Sequence, residues 1–274
     1  MKSILLLTNF TETSARALER FMLVFGPKIA DSCKFTLLNA WRQPKTGRFQ
    51  MINLDSYLEE ISGFELQKEQ AKLIKLLPGL KPRIKLESKH GDIVAVLNVY
   101  CKAHNPDLIV MGTKGSSVLR ELLAGSTTGR IVRKLRAPML IIPESAEFKF
   151  PRRIVLASEM KECKNEEGFK KLTEIVRLFM SEFIILHIYK DEQPDGKYFE
   201  ECMMKYLEGI SYDFQYKPHL QVAEAIMEFC SNMKADMLSM VSHNENLLIK
   251  LFKHSVSAKI TQQADLPMLL INEA

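Results

Sequence analysis

The chain contains a version of itself. Ala264-Asp265-Leu266-Pro267-Met268-Leu269-Leu270-Ile271-Asn272-Glu273 mirrors Leu135-Arg136-Ala137-Pro138-Met139-Leu140-Ile141-Ile142-Pro143-Glu144 at an offset of 129. The same offset lays Asp236-Met237-Leu238-Ser239-Met240 over Asp107-Leu108-Ile109-Val110-Met111, and Phe229-Cys230 over Tyr100-Cys101. Nearer the start of each copy, Ile154 pairs with Ile4 at offset 150 and Phe183 with Phe35 at offset 148. The first copy therefore carries about twenty extra residues, which fall within Arg42–Leu80. A period this long is a whole domain rather than a solenoid unit, and 274 residues hold two domains of ordinary size. The polar, proline-flanked stretch Pro143–Pro151 marks the join, giving domains of residues 1–146 and 147–274.

Each copy reads β-α-β-α-β-α-β-α-β. In the first, Ser3–Thr8, Lys34–Ala40, Asp107–Met111 and Pro138–Ile142 are short apolar runs, the pattern of strands buried on both faces. Ile84, Leu86 and Ser88 alternate with charged residues, as on an edge strand. Thr11 is an N-cap for the first helix, which is expected to stop before Gly26-Pro27. Asp55–Leu77 reads as a long helix with apolar residues Leu58, Ile61, Leu73, Ile74 and Leu77. Asp92 caps a third helix, and a fourth covers Thr127–Leu135. The second copy places strands at Arg153–Ser158, Glu182–Ile188, Tyr212–Tyr216, Asp236–Val241 and Pro267–Ile271. Strands alternating with helices mean an α/β fold with parallel sheets and right-handed crossovers.

Composition narrows the class. Apolar runs such as Leu108–Met111 fall far short of the ~20 residues a membrane helix needs. Met1-Lys2-Ser3 runs into only four apolar residues, too few for a signal peptide, so a cytoplasmic protein is expected. The five cysteines form no CxxC pair and read as reduced thiols, and the six histidines include no HExxH. Residues 1–145 carry 22 Lys/Arg against 13 Asp/Glu, whereas residues 146–274 carry 16 against 20. A basic half attracts phosphate, but no RNA- or DNA-reading motif accompanies it, so a small phosphorylated ligand is favoured over nucleic acid.

One segment carries chemistry. Met111-Gly112-Thr113-Lys114-Gly115 follows a buried strand and, nine residues on, Gly125-Ser126-Thr127-Thr128-Gly129 opens a helix. Glycines at 112 and 115 are expected to permit positive φ and close approach of the backbone to a phosphate. Ser126 and Thr127 place hydroxyls and amide groups at a helix N-terminus, where the dipole favours an anion. Ligands of open parallel sheets bind beyond the carboxyl ends of the strands, where strand order reverses. On a plainer reading Gly112 and Gly115 make a turn and Ser126 only caps a helix.

The pattern Gly-x2-Gly-x9-Gly-Ser, between Asp-Leu-Ile-Val-Met and Ala-Pro-Met-Leu-Ile-Ile-Pro, resembles the ATP-binding motif of universal stress proteins, and the resemblance covers nearly the whole chain twice. It implies a Rossmann-like domain of the adenine nucleotide alpha hydrolase type in each copy: a five-stranded parallel sheet of order 3-2-1-4-5. The two copies would be related by a pseudo-twofold axis, an intramolecular counterpart of the family's dimer, with a homodimer of whole chains as a further assembly. It implies ATP or another adenine nucleotide, with or without Mg2+, held by Thr8, Asn9, Ala40, Met111, Gly112, Thr113, Gly115, Gly125, Ser126 and Thr127. Asn9 stands where the family usually has an Asp that contacts adenosine, and Ala40 where a Val lines the adenine.

The second copy departs from the motif. The offset places Val241 over Gly112, Asn244 over Gly115 and His254 over Gly125, leaving only Ser255 over Ser126. A β-branched residue and two further side chains fill the space phosphates would use. The expectation is a regulatory protein of the stress response that binds nucleotide in its first domain only. The competing readings are a slow ATPase, with Lys114 supplying charge, and an interaction module that binds no nucleotide.

Overall fold

The computed structural model describes residues 1–43, 54–80, 82–114, 126–159, 166–242 and 266–272. The chain divides into two compact units, Met1–Gly112 and Thr113–Ala274. The first contains β1 (Ser3–Leu7), α1 (Glu12–Ile29), β2 (Lys34–Trp41), α2 (Leu54–Lys75), β3 (Arg83–His90), α3 (Ile93–His104) and β4 (Leu108–Thr113), whose last residue opens the second unit. Its strands are parallel in the order β3-β2-β1-β4. Ile4, Leu5 and Leu6 are fully enclosed, as continuous apolar runs in a parallel sheet require.

The second unit contains α4 (Thr127–Lys134), β5 (Pro138–Pro143), β6 (Arg153–Ala157), α5 (Glu166–Phe179), β7 (Glu182–Tyr189), α6 (Lys197–Met204), β8 (Tyr212–Pro218), α7 (Val222–Asn232), β9 (Met237–Ser242) and β10 (Met268–Asn272). Here the order is β5-β10-β9-β6-β7-β8. The strands from β6 onward thus run 3-2-1-4-5 within their own copy, as the resemblance implies. β5 and β10, the two copies of one sequence, pair antiparallel with Leu140 opposite Leu269 and Met139 opposite Leu270. The pair Leu140–Leu269 consists of equivalent residues at offset 129, so this strand pair has a local twofold about its centre.

The repeat extends to individual hydrogen bonds. The Asp107 carboxylate accepts from the backbone N–H groups of Lys2 and Ser3 at 2.6 and 2.9 Å. In the second unit Asp236 accepts from those of Arg152 and Arg153, both at 2.9 Å. Each Asp ties the start of its copy's first strand to the start of the fourth. Thr8 N–H donates to the Leu38 carbonyl, and Ser158 N–H to that of Leu186, both at 3.0 Å.

One sequence expectation is corrected. α1 runs through Gly26-Pro27 to Ile29 instead of stopping before them. A Cβ at Gly26 would lie 2.7 Å from Leu77 Cδ1, so the glycine serves close packing rather than termination. Proline's missing N–H leaves without a helical donor the carbonyl of Leu23, a residue 52% exposed and within reach of water. On α2, Ile61 and Ile74 face solvent, and the buried residues are Ser62, Leu66, Glu69 and Leu73. The extra residues of the first copy are spent here: α2 has 22 residues, whereas α6, between the corresponding strands, has 8.

No helix among the described residues is long and apolar enough to cross a membrane. Cys33, Cys101, Cys202 and Cys230 are unbridged, and burial pushes the Cys101 thiol up to about 11 and Cys230 to about 12.

Candidate functional site at the carboxyl edge of the first unit

In the first unit the strand order reverses beside β1, which has β2 on one flank and β4 on the other. That is where an open parallel sheet forms a crevice. The registers Leu7–Leu38 and Leu6–Val110 bring Thr8-Asn9, Asn39-Ala40 and Met111-Gly112 level at the carboxyl edge. Five of the residues expected to hold nucleotide, Thr8, Asn9, Ala40, Met111 and Gly112, therefore lie on adjacent strand ends.

Their roles differ. Met111 is buried and Ala40 half-buried. Asn9 is exposed, and its Oδ1 accepts from the Thr11 N–H at 3.3 Å and the Thr11 hydroxyl at 2.7 Å. Thr11 in turn caps α1 by accepting from Ser14 N–H. Thr8 turns inward, and its hydroxyl accepts from the Phe10 N–H at 3.0 Å and donates to Glu69 Oε2 at 2.7 Å. Gly112 lies within a strand and has no positive φ, contrary to expectation. Its need is steric, because a Cβ there would stand 2.8 Å from both the Thr13 carbonyl oxygen and Ala17 Cβ. Gly112 is therefore required by its packing against α1, independently of any ligand.

In the second unit Thr113 is buried, and its hydroxyl has no partner among the described residues. Ser126 is the N-cap of α4 and accepts from Gly129 N–H at 3.1 Å. Thr127, the first helical residue, is exposed. Arg133 and Lys134 in the last turn complement the helix dipole. Gly115 and Gly125, and Asn244, His254 and Ser255 of the second copy, lie outside the described residues. No group of acidic, His or Cys side chains suited to a metal ion occurs among the described residues.

Sequence reasoning missed a polar chain beneath the carboxyl edge. The Trp41 indole donates to Ser88 Oγ at 2.9 Å, Ser88 to Ser62 Oγ at 2.8 Å, and Ser62 to Asn39 Oδ1 at 3.0 Å. Asn39 Nδ2 then donates to the Thr8 carbonyl at 2.9 Å. Glu69 joins from the other side of Thr8, and burial pushes its carboxyl up from the ordinary range against the opposing pull of the Thr8 hydroxyl. The signal was present in the spacing, since Ser62, Leu66, Glu69 and Leu73 recur at helical period on one face.

The model of the universal stress protein family matches residues 1–143. A universal stress protein from Archaeoglobus fulgidus DSM 4304 has a similar structure, with a TM-score of 0.73 at 19% identity, covering 99% of this chain and 96% of that one. A functionally unknown protein from Pseudomonas aeruginosa PAO1 superimposes with a TM-score of 0.58 at 13% identity, covering 100% and 93%. No curated protein sequence matches the chain. With more than half of its length matched by the family model, the chain belongs to the universal stress protein family.

Proposed function

We propose that this chain is a regulatory nucleotide-binding protein of the stress response, holding one adenine nucleotide in its first copy, residues 1–146. The phosphates are taken by the segment 112–127 and the adenosine end is read at the turn after β1. The second copy, residues 147–274, is a degenerate domain that supports the first.

The observation that carries the reading is the capping of α4. Ser126 ends the glycine-rich segment, and its side chain accepts from the Gly129 N–H. The Thr127 and Thr128 amides are the remaining first-turn donors, aligned with the positive end of the helix dipole. Such a terminus stabilises an anion without a lysine clamp.

Isothermal titration of ATP into the full chain tests the proposal, with saturable binding expected. A phosphate-release assay on the same sample should show no turnover above background. Absence of binding by ATP, ADP and AMP would leave an interaction module; steady turnover would make the chain an ATPase.

A further inference from the structure

We propose that Glu69 is a positioning residue that locks the turn Thr8–Thr11 from beneath, and that the turn relaxes when this carboxyl loses its proton. The inference rests on the proposed function, since that turn is the part of the molecule assigned to the adenosine end of the ligand.

The turn needs holding. Phe10 has φ +61°, a left-handed conformation that is strained for a residue other than glycine. Such a conformation persists only where the surroundings over-determine it. Here they do so largely through Thr8. Its N–H is bound to the Leu38 carbonyl, its own carbonyl to Asn39, and its hydroxyl to both Phe10 N–H and Glu69. Only the last two contacts reach the strained residue and the helix behind it.

Glu69 is 7% exposed, and its Oε1 is buried without a hydrogen-bond partner among the described residues. An ionised carboxylate would leave that oxygen charged and dry, which is costly. The charged groups facing it are Lys72 and Glu65 from α2 and Glu19 from α1; Lys72 favours the ionised form and the two glutamates oppose it, while burial outweighs them all and holds the carboxyl above its ordinary range. The Thr8 hydroxyl donates to Glu69 Oε2 at 2.7 Å and lies 3.3 Å from Ser14 Oγ. Ser14 donates to the Thr11 carbonyl at 2.9 Å. Ionisation places charge on the buried Oε1 as well, and burial disfavours that charge more than the Thr8 hydroxyl favours it. The charge is relieved if Glu69 swings towards water, and Thr8 then loses the partner that fixes its hydroxyl under Phe10.

The test compares the natural protein with Glu69→Gln and Glu69→Ala, all as the full chain. Two readouts are followed between about pH 4 and about pH 9, a window that spans the range recorded for buried glutamates. They are ATP affinity and hydrogen-exchange protection of the Phe10 amide, the latter corrected for intrinsic exchange and measured without ligand. In the natural protein both should fall together as pH rises through the ionisation of Glu69. Gln keeps the shape and hydrogen-bonding groups but cannot ionise, so both should stay flat. Ala should weaken ATP roughly fivefold or more at every pH and lose Phe10 protection.

A flat profile in the natural protein, the same alkaline fall in Glu69→Gln, or full Phe10 protection in Glu69→Ala would each overturn the proposal. Failure of the natural protein to bind ATP at all strikes the proposed function instead, while the Phe10 titration still decides whether Glu69 holds the turn.

Discussion

Asn9 already serves the fold through Thr11, and under the proposed function it also meets the ligand. Its Oδ1 is spent on Thr11, so the nearby helix start already uses the acceptor that the usual Asp would also supply. The exposed amide offers a ligand two donors without charge. An Asp would keep both bonds to Thr11 and add a charged oxygen near the start of α1, worth about 0.3–1 kcal/mol at a helix N-terminus. Towards adenosine, hydrogen bonds to a charged group are worth ~1.5–3 kcal/mol against ~0.5–1.5 for neutral ones. The difference of about 1 kcal/mol predicts a roughly fivefold gain in ATP affinity for Asn9→Asp. Calorimetry and thermal melts on the same protein check it. A higher Tm with unchanged affinity would mean that the residue shapes the turn and does not read the ligand.

At the scale of elements, α2 explains both what the sequence disclosed and what it concealed. Its existence and extent were legible from composition and the length of the insertion; its orientation was not. Apolar residues occur all round it, and Ile61 and Ile74 among them are exposed. The face that packs instead mixes Leu66 and Leu73 with Ser62 and Glu69, which a hydrophobic pattern discards. Strands fared better, because runs such as Ile4–Leu7 have no second face to confuse them. The caps at Thr11, Asp92 and Ser126 were legible for a local reason, since each bonds within three residues of itself. The polar chain from Trp41 to Thr8 depends on contacts across β2, β3 and α2: the helical spacing marks the face that carries Ser62 and Glu69, but not the partners they meet there. The assignment of faces predicts a sharp contrast. Leu66→Ala should cost about 2–5 kcal/mol, as for a fully enclosed leucine. Phe64→Ala should cost under about 1 kcal/mol, because Phe64 is 57% exposed and carries mainly its contact with Lys68. Urea denaturation of both variants measures this, and equal losses would mean that α2 is rotated from the orientation described.

Across the whole molecule, the two copies have diverged unevenly, and the unevenness separates folding from binding. The Asp clasp is kept in both copies, as are the hydrogen bonds from the end of the first strand to the second. These bonds close a sheet, and a domain that lost them would pay directly in stability. The motif glycines have gone from the second copy: Val241, Asn244 and His254 replace Gly112, Gly115 and Gly125. Gly112 also answers to packing against α1, so its replacement says little about ligands. Gly115 and Gly125 carry the argument, because loss of a backbone approach path removes an anion site while leaving a fold intact. The chain should therefore bind one adenine nucleotide, not two. Calorimetric titration with ATP should give a stoichiometry of about one per chain, since only the first copy retains the path. Gly125→Val should abolish the binding heat by filling the phosphate space, while His254→Ala should leave affinity and stoichiometry unchanged. Two sites per chain, or equal sensitivity to both substitutions, would show that the second copy binds nucleotide without the glycines, and that the motif is not what selects the first.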